Sequence, residues 1–431
     1  MGKLIAINPT INFSKLAEDA EISFVPMELV DENYGTIKSM GTKKRIDSKG
    51  FTKFQEGDLL WAKITPCMQN GKSAIAENLV NGLGCGSTEF FVLRPKTDKI
   101  RTKYIHLILR DERILQNAEN FFGGSAGQQR VSKDFLLQLP IPVPPEAVQE
   151  QVIKIMDDAY EAKRRMEQEA KDLLDSINGY LLEELGIALP PEEENTLGNR
   201  VFRVSSEQVL GGRFDPFFWK PFHKLQEENI YSSMHQKLKL MDLATFETGV
   251  VYSADRERDS GHGILRANNI SLSNNALDLS DIRYIDEALE LQDSKRLYAN
   301  DIFMCSASGS KEHAGKVAFI EKNLPYYYGG FMAVIRVSSD ACVPRFLFEY
   351  MASSIFRSAL FRLLGGTNIN NVTGDMLNKI PIALPAVNMQ EMIVAHIVQI
   401  RLKVRELEQQ AKTVLDTAKA QVEKILLEGS L

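Results

Sequence analysis

Cysteine, histidine and long apolar runs are scarce in this chain of 431 residues. Its four cysteines stand far apart, with no Cys-x-x-Cys pair, and none of its six histidines lies at the spacing of a zinc site. We therefore expect free thiols and no bound metal. No apolar stretch approaches the roughly 20 residues that a membrane-spanning helix needs, and the first residues, MGKLIAINPT, lack the apolar segment of a signal peptide. The sequence predicts a cytoplasmic protein.

Complete phosphate-binding and methyl-donor motifs are also missing. The segment NGKS from Asn70 has the lysine and serine of a phosphate loop, but Pro66 stands where the loop needs glycine. The segment DPFF from Asp215 lacks the second proline of the Asp-Pro-Pro-Tyr loop of adenine methyltransferases, and no methyl-donor loop accompanies it. We therefore expect no cofactor and no catalytic residues. The sequence predicts a protein that binds a partner and does not catalyse a reaction.

Charge is unevenly distributed along the chain, although its net charge is only −6. Residues 35–135 contain 17 Lys and Arg against 10 Asp and Glu, a balance of +7, whereas residues 146–195 contain 5 against 14, a balance of −9. Surface potential is local and is screened beyond about 8 Å at physiological salt. A basic domain can therefore bind a polyanion despite the acidic total, and a solvated basic surface without a partner is the alternative.

One segment of the chain occurs twice in the same register. GSAGQQRVSKDFLLQLPIPVPPEAVQEQ begins at Gly124, and GGTNINNVTGDMLNKIPIALPAVNMQEM begins at Gly365. Their glutamines, Gln149 and Gln390, are 241 positions apart, and other matched pairs have the same separation. GDLLWAKITPCMQNGKSAIAE likewise matches NDIFMCSASGSKEHAGKVAFIE, and FFVLRP matches MAVIRV. This order indicates a tandem duplication.

Each copy has the pattern of a mainly β domain followed by helices. Apolar runs such as DLLWAKI, EFFVLR and FMAVIRV favour strands, and the glycines and asparagines between them favour turns. One helix is predicted after the last strand of each copy, in TKYIHLILRDERILQNAENF and in PRFLFEYMASSIFRSALFRLL. The predicted fold class is α+β. It comprises a first β-rich domain (1–145), a first long helix (146–189), a linker with a second β-rich domain (190–386) and a second long helix (387–431).

The two long helices carry apolar residues at heptad spacing. The positions expected to pair them are Ile155, Ala159, Ala162 and Met166 in the first helix and Ile397, Ile400, Val404 and Leu407 in the second. Each helix runs about 40 residues, hence about 60 Å at 1.5 Å per residue. Neither has an apolar face broad enough for a globular core. We expect the two apolar stripes to pair with each other, and packing of both on other proteins is the alternative.

Several phrases of the sequence resemble those of a known family. At SFVPMELV, GDLLWAKITPCMQNGKSAIAENLVNGLGCGSTEFFVLRP, GSAGQQRV and LPIPVPPEAVQEQ, the chain resembles the specificity subunits of type I restriction-modification systems. The resemblance spans the whole chain, including its duplication. It implies two target-recognition domains separated by an antiparallel helix pair with pseudo-two-fold symmetry. The implied partners are double-stranded DNA, two DNA adenine methyltransferase subunits and restriction subunits, which would carry the catalytic activities.

The glycine loops of the two copies are the candidates for contacts with DNA bases, because amide and guanidinium groups suit adenine and guanine edges. The predicted base-reading residues are Gln128, Gln129 and Arg130 in the first copy and Asn368, Asn370 and Asn371 in the second. The predicted phosphate contacts are Lys63, Lys72, Lys311 and Lys316. For each loop residue, capping of its own backbone is the alternative.

The predicted function is recognition of a DNA sequence without catalysis. Because the two copies differ in their loops, they should read two unrelated half-sites, with centres about 34 Å apart if both use neighbouring major grooves. Two other functions stay open at this stage. One is a self-contained adenine methyltransferase, which would bind a methyl donor. The other is a coiled-coil scaffold, which would lack salt-dependent, sequence-selective DNA binding.

Overall fold

A computed structural model describes residues 1–13, 16–124, 128–191, 194, 196–210, 213–364 and 370–428. The chain divides into two units, Met1–Glu167 with Glu408–Leu431, and Gln168–Leu407. Among the helices so described, none combines the length and the apolarity that crossing a membrane requires.

The first unit holds two four-stranded sheets and the helices that follow them. Its strands are β1 (Ile5–Ile7), β2 (Glu21–Val25), β3 (Val30–Asp31), β4 (Thr36–Ile37), β5 (Gly41–Lys44), β6 (Thr52–Gln55), β7 (Leu59–Ala62), β8 (Ser73–Ile75), β9 (Leu83–Gly86), β10 (Phe90–Pro95), β11 (Phe122–Gly123) and β12 (Arg130–Val131). Its helices are α1 (Thr102–Leu109), α2 (Glu112–Glu119), α3 (Lys133–Gln138) and the first part of α4 (Glu146–Glu184). The sheet orders are β1-β10-β7-β8, which is antiparallel, and β5-β2-β9-β6, in which β2 and β9 run parallel.

The second unit repeats this plan. Its strands are β13 (Gln236–Leu238), β14 (Ala244–Thr248), β15 (Glu257–Arg258), β16 (His262–Leu265), β17 (Arg283–Ile285), β18 (Ile302–Cys305), β19 (Ala307–Ser308), β20 (Val317–Phe319), β21 (Tyr327–Tyr328), β22 (Met332–Val337), β23 (Asn370–Asn371) and β24 (Ile382–Leu384). Its helices are α5 (Ser206–Val209), α6 (Pro221–Ser232), α7 (Leu240–Leu243), α8 (Pro344–Ala352), α9 (Ser354–Leu363), α10 (Gly374–Leu377) and, shared with the first unit, α11 (Val387–Glu428). The order β14-β22-β18-β20 corresponds to β1-β10-β7-β8. The structure thus confirms the two β-rich domains that the sequence predicted.

Strand β7, Leu59–Ala62, shows why the centre of the run DLLWAKI is apolar throughout. Trp61 packs on one face of the sheet, where its ring stacks at 6.3 Å, centroid to centroid, on that of Phe135. Leu60 points to the other face and packs with Phe54 and Phe90. Because both faces are covered, every residue of the strand is buried and the alternation of a half-exposed strand is lost.

The prediction of one helix after the last strand is wrong in both copies, because two short helices lie there. In the first unit, α1 and α2 are separated at Asp111, whose carboxylate accepts a hydrogen bond from the backbone N–H of Arg113. In the second unit, α8 and α9 are separated at Ser353, whose hydroxyl accepts one from the N–H of Phe356. Side chains of this type accept hydrogen bonds from the free N–H groups at the start of a helix. They therefore favour the start of a second helix over continuation of the first.

The long helices α4 and α11 pack together in both units. In the first unit, Met156 and Ala159 of α4 form a buried cluster with Ala418, near the end of α11. In the second unit, Leu181, near the end of α4, packs in one cluster with Ile397, from the first part of α11. The beginning of each helix thus meets the end of the other, so the pair is antiparallel, as the resemblance implied.

The eight predicted pairing residues differ in burial. Ile155 and Ala159 belong to the first cluster, Ile397 and Ile400 to the second, Val404 and Leu407 are buried, and Ala162 and Met166 are half-buried. Their contribution to pairing stays a prediction.

A buried glutamine fixes the start of each long helix to its β-rich domain. The side chain of Gln149 donates to the carbonyls of Lys99 and Pro144 at 2.8 and 3.0 Å and accepts from the N–H of Arg101 at 3.0 Å. Gln390 makes the matching three bonds, to Ala341, Pro385 and Val343, at 2.7–2.8 Å. Because both glutamine side chains are buried and each amide has its donors and acceptor satisfied by these bonds, replacing the glutamine should be costly.

Candidate nucleic-acid interface

The first unit carries Lys63, Glu89 and residues 128–130 at one end of its sheet β1-β10-β7-β8, and we call this group the first tip. The backbone N–H of Lys63 donates to the carbonyl of Glu89 at 2.9 Å, and the N–H of Val131 donates to the carbonyl of Lys63 at 2.9 Å. Ile64 and Arg130 form a bridge beside these bonds. Strand pairing therefore continues past the end of β7 and supports the loop that holds the predicted base-reading residues.

A two-pronged ion pair orients Arg130. Its Nε and Nη2 donate to the two carboxylate oxygens of Glu89 at 2.9 and 2.8 Å, and its Nη1 donates to the carbonyl of Gln128 at 3.2 Å. The hydrogen bond from Arg130 lowers the pKa of Glu89 below its ordinary value. A guanidinium has five N–H donors, so two remain, one on each terminal nitrogen. The pair is partly exposed and adds little stability; its effect is to hold the guanidinium in one orientation.

The two glutamines of the first tip are held through their backbones. The N–H of Thr65 donates to the carbonyl of Gln129 at 2.9 Å, and the N–H of Gln129 donates to the hydroxyl of Thr65 at 3.2 Å. The side chain of Gln128 is exposed and that of Gln129 is half-buried. A loop fixed in this way presents its side chains in a reproducible direction.

The second unit builds the same frame at the corresponding place, and we call Ser306, Phe331 and residues 370–371 the second tip. The N–H of Ser306 donates to the carbonyl of Phe331 at 2.9 Å, and the N–H of Val372 donates to the carbonyl of Ser306 at 2.7 Å. Strands β19 and β23 pair Ala307 with Asn371 and Ser308 with Asn370. The chain therefore folds alike at both tips.

The asparagines of the second tip are partly available to a ligand. Asn371 is exposed, while Asn370 is half-buried and donates from Nδ2 to the carbonyl of Ser308 at 3.4 Å. The predicted base-reading residue Asn368 lies outside the described residues.

The four predicted phosphate-binding lysines lie in different surroundings. Lys63 is half-buried with its Nζ 5.5 Å from the ring centre of Phe91, and Lys311 has its Nζ 4.3 Å from the ring centre of Phe217. The Nζ of Lys72 lies 3.7 Å from a carboxylate oxygen of Glu32. Lys316 is buried, its Nζ donates to the carbonyl of Ile270 at 2.8 Å, and burial lowers its pKa.

Sequence reasoning missed Glu89 and Phe331. Each directly precedes one of the matched strands, FFVLRP and MAVIRV, and each supplies the carbonyl that anchors its tip. The signal was available, because extending the match by one residue shows a carboxylate in one copy where the other has an aromatic ring.

Comparison with known protein families accounts for this doubled arrangement. A family model described as "Type I restriction modification DNA specificity domain" matches residues 2–176 and 233–416. The chain belongs to this family. The resemblance seen in the sequence to the specificity (S) subunits of type I restriction-modification systems is thereby confirmed.

Individual members of the S-subunit family match parts of the chain. The Escherichia coli type I restriction enzyme EcoAI specificity subunit is 36% identical over 206 residues, which are 48% of this chain and 35% of that protein. The Escherichia coli EcoEI specificity subunit is 34% identical over 177 residues, which are 41% of this chain and 30% of that protein. The matches thus span about a third of the length of these curated relatives.

One solved structure has a similar fold. It is described as the "structural basis underlying complex assembly and conformational transition of the type I R-M system" and is 16% identical to this chain. Its TM-score is 0.52, with 96% of this chain and 92% of that chain covered. The likeness concerns the fold alone.

Proposed function

We propose that the chain is the non-catalytic DNA-recognition subunit of a type I restriction-modification complex. Each β-rich domain reads one half of a bipartite DNA site, and the long helices set the spacing between the halves. Methyl transfer and cleavage belong to partner subunits. The observation that carries the proposal is the pair of tips, which share one backbone frame and differ in their exposed side chains.

In the first tip, Arg130 is the main candidate for reading a base. The two N–H donors left over by Glu89 and Gln128 sit on the terminal nitrogens, where they suit the O6 and N7 acceptors of guanine. The fixed orientation reduces the entropy lost on binding, because the guanidinium need not be immobilised at that moment. Gln128 and Gln129 are the neighbouring candidates for an adenine edge.

In the second tip, Asn371 has the corresponding role. A carboxamide offers one donor and one acceptor, which match N7 and the N6 amino group of adenine. Asn370 and Asn368 are its neighbours in sequence and complete the candidate set. Because an amide and a guanidinium prefer different bases, the two half-sites should be unrelated and the full site asymmetric.

Lys63 and Lys311 are the phosphate contacts that we retain from the four predicted lysines. Neither ammonium group has an ion-pair partner within the described residues, and each rests on an aromatic ring. Lys72 is engaged by Glu32, and the buried Lys316 is engaged by a backbone carbonyl, so both fit a structural role better. Phosphate contacts position the protein on the duplex without specifying its sequence.

The proposed partners are DNA, DNA adenine methyltransferase subunits, two of them by the internal symmetry, and restriction subunits. A duplicated chain offers two similar surfaces, so a pair of identical methyltransferase subunits can bind as they would to a symmetric dimer. The adenine to be methylated must leave the base stack, and the partner supplies the pocket that receives it.

The test is to map methylated adenines in cells that keep the methyltransferase genes and either keep or lose this chain. We expect a split, asymmetric motif that disappears on deletion. Exchanging residues 1–145 for those of another family member should then change one half of the motif and leave the other intact. An unchanged methylation pattern after deletion would refute the proposal, and a change in both halves after the exchange would refute the assignment of one half-site to each domain.

A further inference from the structure

Two exposed apolar side chains lie at the second tip: Phe331, which belongs to it, and Val251, which lies close to Gly330. Phe331 is 72% exposed and Val251 is 88% exposed. The carbonyl of Phe331 accepts hydrogen bonds from the N–H groups of Ser306 and Ala307 at 2.9 and 3.0 Å, and Ala307 is paired with Asn371. Phe331 is thus attached to the strands that carry the candidate base-reading residue.

The backbone segments that carry these side chains are closely paired. The N–H of Val250 donates to the carbonyl of Tyr328 at 2.7 Å, and the N–H of Gly249 donates to that of Met332 at 3.0 Å. The two segments lie so close that a Cβ atom on Gly249 would be 2.2 Å from the carbonyl oxygen of Tyr328. Only glycine fits there, and its presence lets the two segments pair this closely.

The first unit has a different side chain at this place. Glu89 occupies the position of Phe331. Its carbonyl accepts a hydrogen bond from the N–H of Lys63, as that of Phe331 does from the N–H of Ser306, and its carboxylate orients Arg130. The residue before the last strand is therefore part of the tip in both units. A carboxylate accepts strong hydrogen bonds from an arginine, whereas the benzyl group of Phe331 offers apolar surface and only a weakly accepting ring face.

We propose that Phe331 is a specificity-determining residue that packs against the C5 methyl group of a thymine in the second half-site. The inference rests on the proposed function and adds a base contact of a different chemistry. Thymine is distinguished in the major groove by this methyl group, and apolar side chains recognise it. Because Asn371 suits adenine, the two side chains together suit adjacent A·T pairs. Val251, whose side chain lies beside Gly330, is a second exposed apolar side chain close to Phe331 in the fold.

Replacing thymine by deoxyuridine removes the methyl group alone and is therefore the test. Binding of the assembled complex would be measured on duplexes with the mapped site, each with one thymine of the second half-site replaced. For the wild-type protein we expect one position at which the replacement weakens binding about fourfold, the equivalent of one buried CH₂ group. In the Phe331→Ala complex the same replacement should have no further effect, because the contact is already lost.

Met234→Ala is the matched control, since Met234 is a 90% exposed apolar residue of the same unit, and it should keep the wild-type response to deoxyuridine. The inference is overturned if no thymine of the second half-site responds, if that half-site has no A·T pair, or if Phe331→Ala responds as the wild type does. It is also overturned if Phe331→Ala weakens binding to both kinds of duplex equally and reduces DNA bending, since Phe331 would then act as a wedge between bases.

The proposed function has its own readout. If Asn371→Ala changes the second half of the methylated motif and Phe331→Ala does not alter the deoxyuridine response, only the further inference fails. If deleting the chain leaves the motif unchanged, the proposed function itself fails.

Discussion

At one matched pair of positions, the contact between a β-rich domain and its long helix is apolar in the first unit and ionic in the second. In the first, Leu107 of α1 and Tyr160 of α4 pack on one apolar cluster. In the second, the matching positions hold Glu349 and Arg401, and the carboxylate of Glu349 pairs with the guanidinium of Arg401 at 2.7 and 2.9 Å. Arg345 joins the same carboxylate at 3.1 Å. Equivalent backbones are thus stabilised by unrelated side-chain chemistry.

The side chains of the tips differ in the opposite direction, with the ionic contact in the first unit. The first has the ion pair of Arg130 with Glu89, and the second has the exposed side chains of Asn371 and Phe331. Main-chain hydrogen bonds define the frame in both units and do not depend on side-chain identity. The comparison teaches that this repeated frame tolerates exchange of apolar and ionic side chains. Under the proposed function, this exchange lets the two domains recognise different sequences.

The largest expected effect comes from breaking the ionic contact of the second unit. Glu349 is 2% exposed, so Glu349→Gln leaves two guanidinium groups short of their countercharge and should cost about 3–5 kcal/mol of unfolding free energy. Urea denaturation combined with hydrogen exchange in α8 and α11 measures the loss. Asp157→Asn, which removes the exposed partner of Lys103 in the first unit, should cost no more than about 1 kcal/mol.

Replacing the ionic side chains of the second unit by those at the matching positions of the first unit tests whether the two contacts are interchangeable. The triple change Arg345→Lys, Glu349→Leu and Arg401→Tyr should recover most of the stability, because well-packed apolar residues commonly replace a buried ion pair without loss. A triple variant as unstable as Glu349→Gln would show that the two interfaces are not interchangeable.

A smaller effect is expected from removing the guanidinium of the first tip. Arg130→Ala should weaken binding of the assembled complex to its DNA site by about 10- to 100-fold, the discrimination of one bidentate base contact. It should also relax specificity at one position of the first half-site, leaving the second half-site unchanged. Binding to duplexes with single base changes measures this, with Arg130→Lys as the comparison that keeps the charge. Equal weakening on all DNA sequences would instead identify Arg130 as a phosphate contact.

A further effect is expected from the pH response of a buried histidine. Burial, with a further contribution from the charge of Arg110, lowers the pKa of His106 from 6.5 to about 3. The folded state keeps this histidine neutral while the unfolded state takes up a proton below pH 6.5. Its contribution is therefore complete above pH 6.5 and falls on acidification by up to about 1.4 kcal/mol per pH unit.

Urea denaturation between pH 4.5 and 7.5 measures this slope, and His106→Gln should reduce it. Burial lowers the pKa of His223 in the second unit to about 4, so His223→Gln is the matched variant and should act in the same direction. Hydrogen exchange assigns each effect to its unit. A slope that neither change alters would contradict the assignment.

The repeat and the fold class could be read from the sequence because they depend on local patterns. Matching glutamines 241 positions apart marked the same turn in both copies, and each proves to anchor a long helix with three hydrogen bonds. The heptads and the proline segments before them predicted two long helices, and the structure contains α4 and α11. The break between α1 and α2 was missed, because an apolar period continues across Asp111 and only the cap bond ends the first helix.

The sequence by itself determined that the chain has two similar β-rich domains and two long helices, since side-chain periodicity and turn residues act within a few positions of one another. Only the tertiary structure decided which residues form each tip. Glu89 meets Arg130 across 41 positions, and the carbonyl of Phe331 bonds to Ala307, the strand partner of Asn371. Such contacts depend on how sheets and loops pack, and packing is a property of the whole domain that no local pattern contains.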